Sequence, residues 1–489
     1  MRQNFRLSKA DRDFFLLVDT AVTTNPFSDQ RNQVDLKISG RSTSSSIPNI
    51  DEVIKQVDGR ISALEKEGAK KVNQFCENDR KLMEHVFLFQ FFYSFRDKFD
   101  QLILDQIKAG EQSIPVSFVP QIYDFFRAKG FRAESIAHYI AISYQIRRAF
   151  YFIDRTLIGT SDSMKALRFQ LWNNVFTNNM DIYDRYMWNR LEDFSTIILG
   201  ETGTGKGTAA MAIGRSGYIP FDQKNSCFSE SFLRSFISLN LSQFPESLIE
   251  SELFGYEKGA FTGAVKDFKG VFSRCSAYGS IFLDEIGEVS VPIQIKLLNV
   301  LHERTFSPVG SHKTERFRGR VIAATNRSLK ELRRNGTFRD DFYYRLCSDT
   351  ITVPSLQQRI LEDPRELDNL LTFTVERIVG QPSPELIDIV KKSIVQHLGL
   401  DYPWPGNVRE LEQCIRSVLL GQDYKGDDKY REPDDFSQFV ESIRGGNMSS
   451  QALTAGYCRF LYKRHKNYEE VARRMQVDGR TVKKYLHVE

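Results

Sequence analysis

Residues 200–207, GETGTGKG, follow the apolar run STIIL and precede GTAAMAIGR, the strand-then-helix setting that a phosphate-binding loop needs. Glycine lets Gly200, Gly203, Gly205 and Gly207 bring backbone N–H groups close around phosphates, with Glu201, Thr202 and Thr204 completing the loop. The helix that follows adds partial positive charge at its N-terminus, and Lys206 is placed to reach the β- and γ-phosphates. The hydroxyl that usually follows the lysine as a magnesium ligand is missing, since position 207 is glycine and the nearest hydroxyl is on Thr208. Alone, the loop is also compatible with a glycine turn that binds nothing.

A second apolar run, SIFL, ends in Asp284-Glu285. Two acids at the carboxyl end of a strand lie where ligands of open α/β sheets sit. Asp284 suits a magnesium ion, and Glu285 suits polarising an attacking water. A third run, VIAA, ends in Thr325-Asn326; the Asn326 amide suits orienting water or the γ-phosphate, although Thr-Asn after a strand is also an ordinary turn. Together the three strand ends read as an ATPase that uses ATP and Mg2+.

The elements that must position these groups follow from periodicity. From residue 186 to 355, short β-rich runs (STIIL, FISLN, SIFLDE, RVIAATN, DTITV) alternate with helical segments, as parallel α/β units do. Residues 356–421 return to a helical pattern without strands and read as a helical lid subdomain. A polar, charge-mixed linker over 422–446 leads to a basic segment, 447–489. Residues 1–185 read as mainly helical, broken by a Ser-rich stretch near 40–49. Within them Phe87, Phe89, Phe91, Phe92, Phe95 and Phe99 are too apolar for a solvated tail and must be buried.

A chain of 489 residues exceeds what one core supports, so several domains are expected. Lys and Arg total 67 against 63 acids, a formal charge of only +4; any nucleic-acid contact must be local rather than a coat of positive charge. The six cysteines lie far apart with no C-x-x-C pair, which argues against a zinc site or disulfide scaffold and for a reducing compartment. The most apolar run, VFLFQFFY, is far short of the ~20 residues that span a bilayer. A cytoplasmic protein with no membrane partner is expected.

With these residues in place, the chain resembles the bacterial enhancer-binding proteins, the AAA+ activators of RNA polymerase carrying sigma-54. GETGTGKG, ESELFGYEKGAFTGA, GSIFLDEIGE, RVIAATNRSL, FRDDFYYRL and YPWPGNVRELE occur in that family's order and spacing between about 190 and 420. The resemblance implies a multidomain, mainly α/β fold with an AAA+ P-loop core and helical lid. It implies that Gly259, Ala260, Phe261, Thr262, Gly263 and Ala264 form the loop that contacts sigma-54 in the polymerase holoenzyme, with Phe261 and Thr262 at its tip. It also assigns Asn240 as the switch partner of Glu285, Arg409 as a second nucleotide sensor, and Arg339 and Arg345 as arginines reaching the nucleotide of a neighbouring subunit in a homo-oligomeric, hexameric ring. A solvated charge or an ion pair within the subunit is the other reading of either arginine. Two departures stand out. Gly207 occupies a position that is usually Glu in the family, and residues 1–185 do not read as a receiver, GAF or PAS module.

Residues 468–487, YEEVARRMQVDGRTVKKYLH, have helix-turn-helix spacing, with Ala472 at the helix contact, Val477 in the turn and Val482 ten residues after Ala472. Asp478 is a plausible N-cap. Arg480, Thr481, Lys483 and Lys484 would face double-stranded DNA from the second helix. Gln476 stands at a turn position often held by glycine, and a basic solvated helix pair is the alternative. The family resemblance implies a Fis-like DNA-binding domain here. The expected function is an ATP-dependent activator that binds DNA upstream of a promoter and remodels the sigma-54 closed complex. Two alternatives remain: a DNA-binding regulator using nucleotide only as an allosteric ligand, and an AAA+ remodelling ATPase outside transcription. The first 185 residues are expected to form a helical regulatory domain that controls ring assembly through a protein or small-molecule signal.

Overall fold

The computed structural model describes residues 5–41, 49–399, 401–426, 439, 442–443, 445–446 and 448–486. Most of the Ser-rich break and much of the expected linker fall outside them, as does His487. The chain divides into two compact units, Met1–Ile387 with Gly406–Ile415, and Asp388–Pro405 with Arg416–Glu489.

Five apolar runs form one parallel sheet: β1 (Thr196–Leu199), β2 (Phe236–Asn240), β3 (Ser280–Asp284), β4 (Arg320–Thr325) and β5 (Asp349–Thr352), in the order β2-β3-β4-β1-β5. The strands alternate faces with period two. Ile197, Ile281, Leu283, Val321 and Ala323 enter one core with the helices Glu246–Phe254 and Val291–Glu303. Ile198, Phe282, Ile322, Ala324 and Ile351 enter another. Both faces are covered, which is why these strands read as continuous apolar runs.

Eight helices precede the sheet: α1 (Lys9–Thr23), α2 (Asp29–Ser39), α3 (Ile50–Lys66), α4 (Glu77–Ser94), α5 (Arg96–Ala109), α6 (Val119–Lys129), α7 (Ala133–Thr156) and α8 (Asp162–Phe176). Ser8, Ser28 and Asn49 cap α1, α2 and α3 by accepting backbone N–H bonds in their first turns. Phe87 and Phe89 of α4 join Phe15, Val53 and Phe75 in a core of their own. Phe91, Phe95 and Phe99 instead join Tyr144 and Phe152 of α7 in a core that runs on into Ala209 and Ile213 and into the second face of the sheet. Phe92 is only partly buried.

Buried polar groups tie this helical region to the α/β core. Arg148 of α7 is fully buried; it donates to the carbonyls of Arg215 (2.7 Å) and Gly217 (2.8 Å), and burial pushes its guanidinium down to about 10. Arg320 of β4 donates to the Asn174 carbonyl (3.1 Å) and side-chain oxygen (2.8 Å) of α8.

Helix α9 (Lys206–Gly214) crosses the same face of the sheet. It ends on a glycine because a Cβ at 214 would lie 2.2 Å from the Phe236 ring. Beyond the sheet come α10 (Leu356–Glu362), α11 (Arg365–Val379) and α12 (Asn407–Leu419). Glu366 of α11 is fully buried, accepts from Arg359 (2.7 Å), and caps the start of α8 by accepting from the backbone N–H of Thr160 (2.6 Å) and of Ser161 (2.5 Å).

In the second unit, α13 (Ser450–His465), α14 (Tyr468–Met475) and α15 (Gly479–Leu486) close around Cys458, Leu461, Val471 and Val482. Ala472 and Val477 are partly buried against that core, so Val471 rather than Ala472 is the fully buried residue of α14. The six cysteines are all free thiols.

Candidate active site

The loop between β1 and α9 is wound tightly enough that its lysine turns back on it. Lys206 Nζ donates to the carbonyls of Gly200 (2.9 Å) and Glu201 (3.1 Å), and Thr204 Oγ1 donates to the Glu201 carbonyl (2.9 Å). Burial lowers the Lys206 pKa, while the nearby charges of Glu285 and Asp284 raise it. At the end of β3, Asp284 Oδ1 accepts the backbone N–H of Glu285 at 3.1 Å. Glu285 adopts a left-handed backbone, φ 56°, and its Oε2 is buried with no hydrogen-bond partner. A strained acid with an orphaned oxygen beside a phosphate loop is the pattern of a group held ready for a ligand. At the end of β4, Asn326 Nδ2 donates to Thr202 Oγ1 at 2.8 Å, so this strand end touches the phosphate loop directly.

Asn240 ends β2 in register with Asp284. Its side-chain oxygen accepts from the backbone N–H (3.0 Å) and hydroxyl (2.7 Å) of Ser242, so the hydrogen bonds it makes are to its own turn and not to Glu285. Gly207 leaves ordinary room, since a Cβ there would meet the Phe282 ring at 3.9 Å.

A residue not singled out from sequence closes the loop from the other side. Asn407 is fully buried, with φ 54°. Its Nδ2 donates to Glu201 Oε2 (3.0 Å) and to the Thr202 carbonyl (3.1 Å), and its Oδ1 accepts from Leu356 N (2.7 Å). The available signal was an Asn directly after Pro-Gly, a pair that permits the left-handed turn. Gly203, at φ 81°, must be glycine here, because a Cβ would lie 2.2 Å from the Gly406 carbonyl oxygen. Arg409, one turn into α12, is exposed and makes no hydrogen bond or ion pair among the described residues; its charge contributes to lowering the Lys206 pKa.

The 259–264 segment forms a compact hairpin. Gly259 N donates to the Ala264 carbonyl (2.9 Å) and Ala264 N to the Phe261 carbonyl (3.0 Å), while Tyr256 and Phe268 exchange hydrogen bonds at its base. Phe261 is 43% exposed and stands edge-on to Tyr256 at 4.9 Å, so it leans on the base of the loop without entering a core. Thr262 is exposed. Gly259 (φ 86°) and Gly263 (φ 103°) supply the two left-handed corners.

In the C-terminal helices, Asp478 accepts from the backbone N–H of Arg480 (2.8 Å) and Thr481 (2.9 Å), the expected N-cap. Arg480, Lys483 and Lys484 are exposed. Thr481 departs from the expectation: it is partly buried and its hydroxyl donates to Asp478 at 2.9 Å. An i+3 hydroxyl next to a capping acid finds that partner before it finds solvent. Gln476 holds the turn at φ 55°.

Residues 177–352 match the Sigma-54 interaction domain. The chain is 43% identical over 237 residues to the Nif-specific regulatory protein of Azotobacter vinelandii, which covers 48% of this chain and 41% of that protein. It is 41% identical over 229 residues to an uncharacterized protein in the HyuA 5′ region of Pseudomonas sp. (strain NS671), covering 47% of this chain and 71% of that one. To the regulatory protein AtoC of Escherichia coli (strain K12) it is 37% identical over 252 residues, 51% of this chain and 50% of that one. The chain belongs to the sigma-54-dependent activator family. It spans about two fifths of the length of the Azotobacter relative.

In this member of the sigma-54-dependent activator family, Arg339 and Arg345 both have partners within the chain. Arg339 Nε and Nη2 bond Asp341 at 2.9 and 2.6 Å in an exposed ion pair that holds the Asp341 carboxyl below its usual range. Arg345 Nε and Nη2 donate to the Leu301 carbonyl at 2.9 and 2.7 Å. Reaching a neighbour's nucleotide requires either guanidinium to exchange these contacts. No helix among the described residues is long and apolar enough to cross a membrane.

Proposed function

We propose that this sigma-54 activator family member hydrolyses ATP in a homo-oligomeric, hexameric ring, binds DNA through α13–α15, and uses the 259–264 loop to remodel the sigma-54 polymerase closed complex. The observation that carries the reading is the convergence of Lys206, Asp284, Glu285 and the Asn326–Thr202 bond on one end of the sheet.

The residues present fit a magnesium–nucleotide, because Asp284 offers a hard oxygen donor and the orphaned Glu285 Oε2 needs a proton donor such as water. A bound magnesium ion would neutralise charge on the β- and γ-phosphates. Lys206 would exchange its two carbonyl acceptors for phosphate oxygens, backbone N–H groups of the loop would hold the remaining oxygens, and Glu285 would accept hydrogen from the attacking water. Asn326 would report the γ-phosphate to β4, and Arg409 the same event to α12. Arg345 and Arg339 would stabilise transferred charge across the subunit interface. The loop at 259–264, with its two glycine corners, would change position with the γ-phosphate and carry Phe261 and Thr262 to the partner.

The deciding experiment is phosphate release by the purified chain across a concentration series. The proposal predicts turnover that rises steeply as rings form and is lost in Lys206→Ala. A rate per subunit independent of concentration, or a Lys206→Ala variant as active as wild type, would overturn it.

A further inference from the structure

The helical region contains a cavity of about 560 Å³ that no step above uses. One face of α7 supplies Tyr139, Ser143, Arg147 and Phe150, α4 supplies Phe89, Phe92 and Tyr93, and α8 supplies Trp172. Its size and its aromatic walls with a few convergent polar groups are those of a small-molecule site.

Five aspartates and four arginines line it, and the acids are engaged by basic neighbours. Asp35 holds Arg31 at 2.9 Å, Asp97 holds Arg96 at 3.1 Å, Asp181 pairs with Lys81 at 2.9 Å, and Asp184 bonds His138 at 2.7 Å. Asp100 takes Nε (2.9 Å) and Nη2 (2.6 Å) of Arg147. Four of the five acids of the lining thus pair with an arginine or lysine, and Asp184 bonds the His138 ring. The Arg31 fork is used up, since Nη1 donates to the Ala21 carbonyl (2.8 Å) and Nη2 to the Tyr93 hydroxyl (3.0 Å).

The groups left without a partner are donors. Nη1 of Arg147 has no hydrogen-bond partner among the described residues, although the side chain is only 9% exposed and lies over the rings of Phe92 (5.7 Å) and Phe150 (5.3 Å). One turn earlier on the same face, the buried Ser143 makes no side-chain hydrogen bond among the described residues, nor does Arg155 have a carboxylate partner among them. A guanidinium edge one helical turn from a hydroxyl, both lining the cavity, has the donor set of a single carboxylate.

We propose that this cavity binds a small aromatic monocarboxylate, with its ring among Phe89, Phe92, Phe150 and Trp172 and its carboxylate on Arg147 Nη1 and the Ser143 hydroxyl. Occupancy has a route to the candidate nucleotide site: Trp172 lies on α8, which packs against α9, the helix that begins at Lys206. Resting on the function proposed above, the carboxylate is then the signal that the helical region passes to the ATPase.

The test is calorimetric titration of the full chain with 2-naphthylacetate, 2-naphthylacetamide and decanoate. The acid binds saturably with Kd below ~1 mM, and the amide binds about tenfold or more weakly, the worth of one charge-assisted hydrogen bond. Arg147→Lys keeps a cation for Asp100 and weakens the acid about tenfold; Ser143→Ala weakens it by less; Ile146→Trp fills the cavity and abolishes binding with an unchanged circular dichroism spectrum. Equal affinity for acid and amide, tighter binding of decanoate, no saturable binding of the acid, or full affinity in a folded Ile146→Trp variant each overturns the proposal. The readout is binding, so its failure and a failure of the ATPase reading are separate results.

Discussion

Asn407 and Glu201 are joined by a 3.0 Å hydrogen bond from the Asn407 carboxamide to Glu201 Oε2, and the same side chain also holds the Thr202 carbonyl and Leu356 N. One buried amide thus fixes the phosphate loop to the start of α10. Asn407→Ala leaves the Leu356 N–H without its acceptor and forces a Cβ-bearing residue into a left-handed turn without the Asn side chain's help. We expect a loss of about 1–3 kcal/mol in unfolding free energy, read from denaturant curves, together with weaker nucleotide binding. Asn407→Gly should recover the backbone part of that loss but not the nucleotide affinity.

Glu285→Gln should separate binding from hydrolysis. The orphaned Oε2 makes no contact that the fold depends on, so the variant should keep wild-type nucleotide affinity by calorimetry while phosphate release falls by about a hundredfold or more. Asp284→Asn should instead weaken the magnesium dependence of nucleotide binding. Near-normal turnover in Glu285→Gln would assign the base elsewhere.

Glu366 is fully buried and joins the start of α8 to Arg359 of α10. Glu366→Ala removes the cap from Thr160 and Ser161 and leaves Arg359 as a buried cation without its acid. Breaking a buried pair this way costs about 3–5 kcal/mol. Hydrogen exchange should rise first across 157–176 and α11, and a variant that exchanges like wild type there would show that the tie is not in place.

Gln476 pays a backbone cost that glycine would not. Gln476→Gly should raise the stability of the C-terminal helices by about 0.5–1 kcal/mol, seen as a shifted denaturation midpoint. Binding to double-stranded DNA should keep its salt dependence in that variant. In Arg480→Ala/Lys483→Ala the affinity should fall and the slope against salt should flatten by about one to two released counterions. Unchanged binding in the double variant would remove α15 as the DNA-reading helix.

The five strands, the glycine-rich turn between β1 and α9 and the Asp478 cap were legible in the sequence because each is a local pattern: an apolar run, a glycine spacing, an acid before a helix. The expectation that the Phe87–Phe99 aromatics are buried holds for all but the partly exposed Phe92, yet periodicity could not say that Phe91, Phe95 and Phe99 share a core with the ATPase sheet. That sharing rests on contacts distant in sequence, such as Arg148 with Arg215 and Asn174 with Arg320. Asn407 escaped notice for the same reason, its partners lying about two hundred residues away at Glu201 and Thr202. The Asp341 partner of Arg339 was in plain view within FRDD, but nothing in a sequence decides whether a charge pairs at home or across an interface.

The most direct test of the account is Thr262→Ala, assayed for phosphate release and for open-complex formation by sigma-54 polymerase on one promoter template. Thr262 is exposed at the hairpin, and its side chain has no hydrogen bond among the described residues to lose. Wild-type phosphate release with open complexes reduced to background is the predicted result. Open complexes at the wild-type level, or a parallel loss of both activities with the ring intact, would contradict the assignment of this loop to the polymerase.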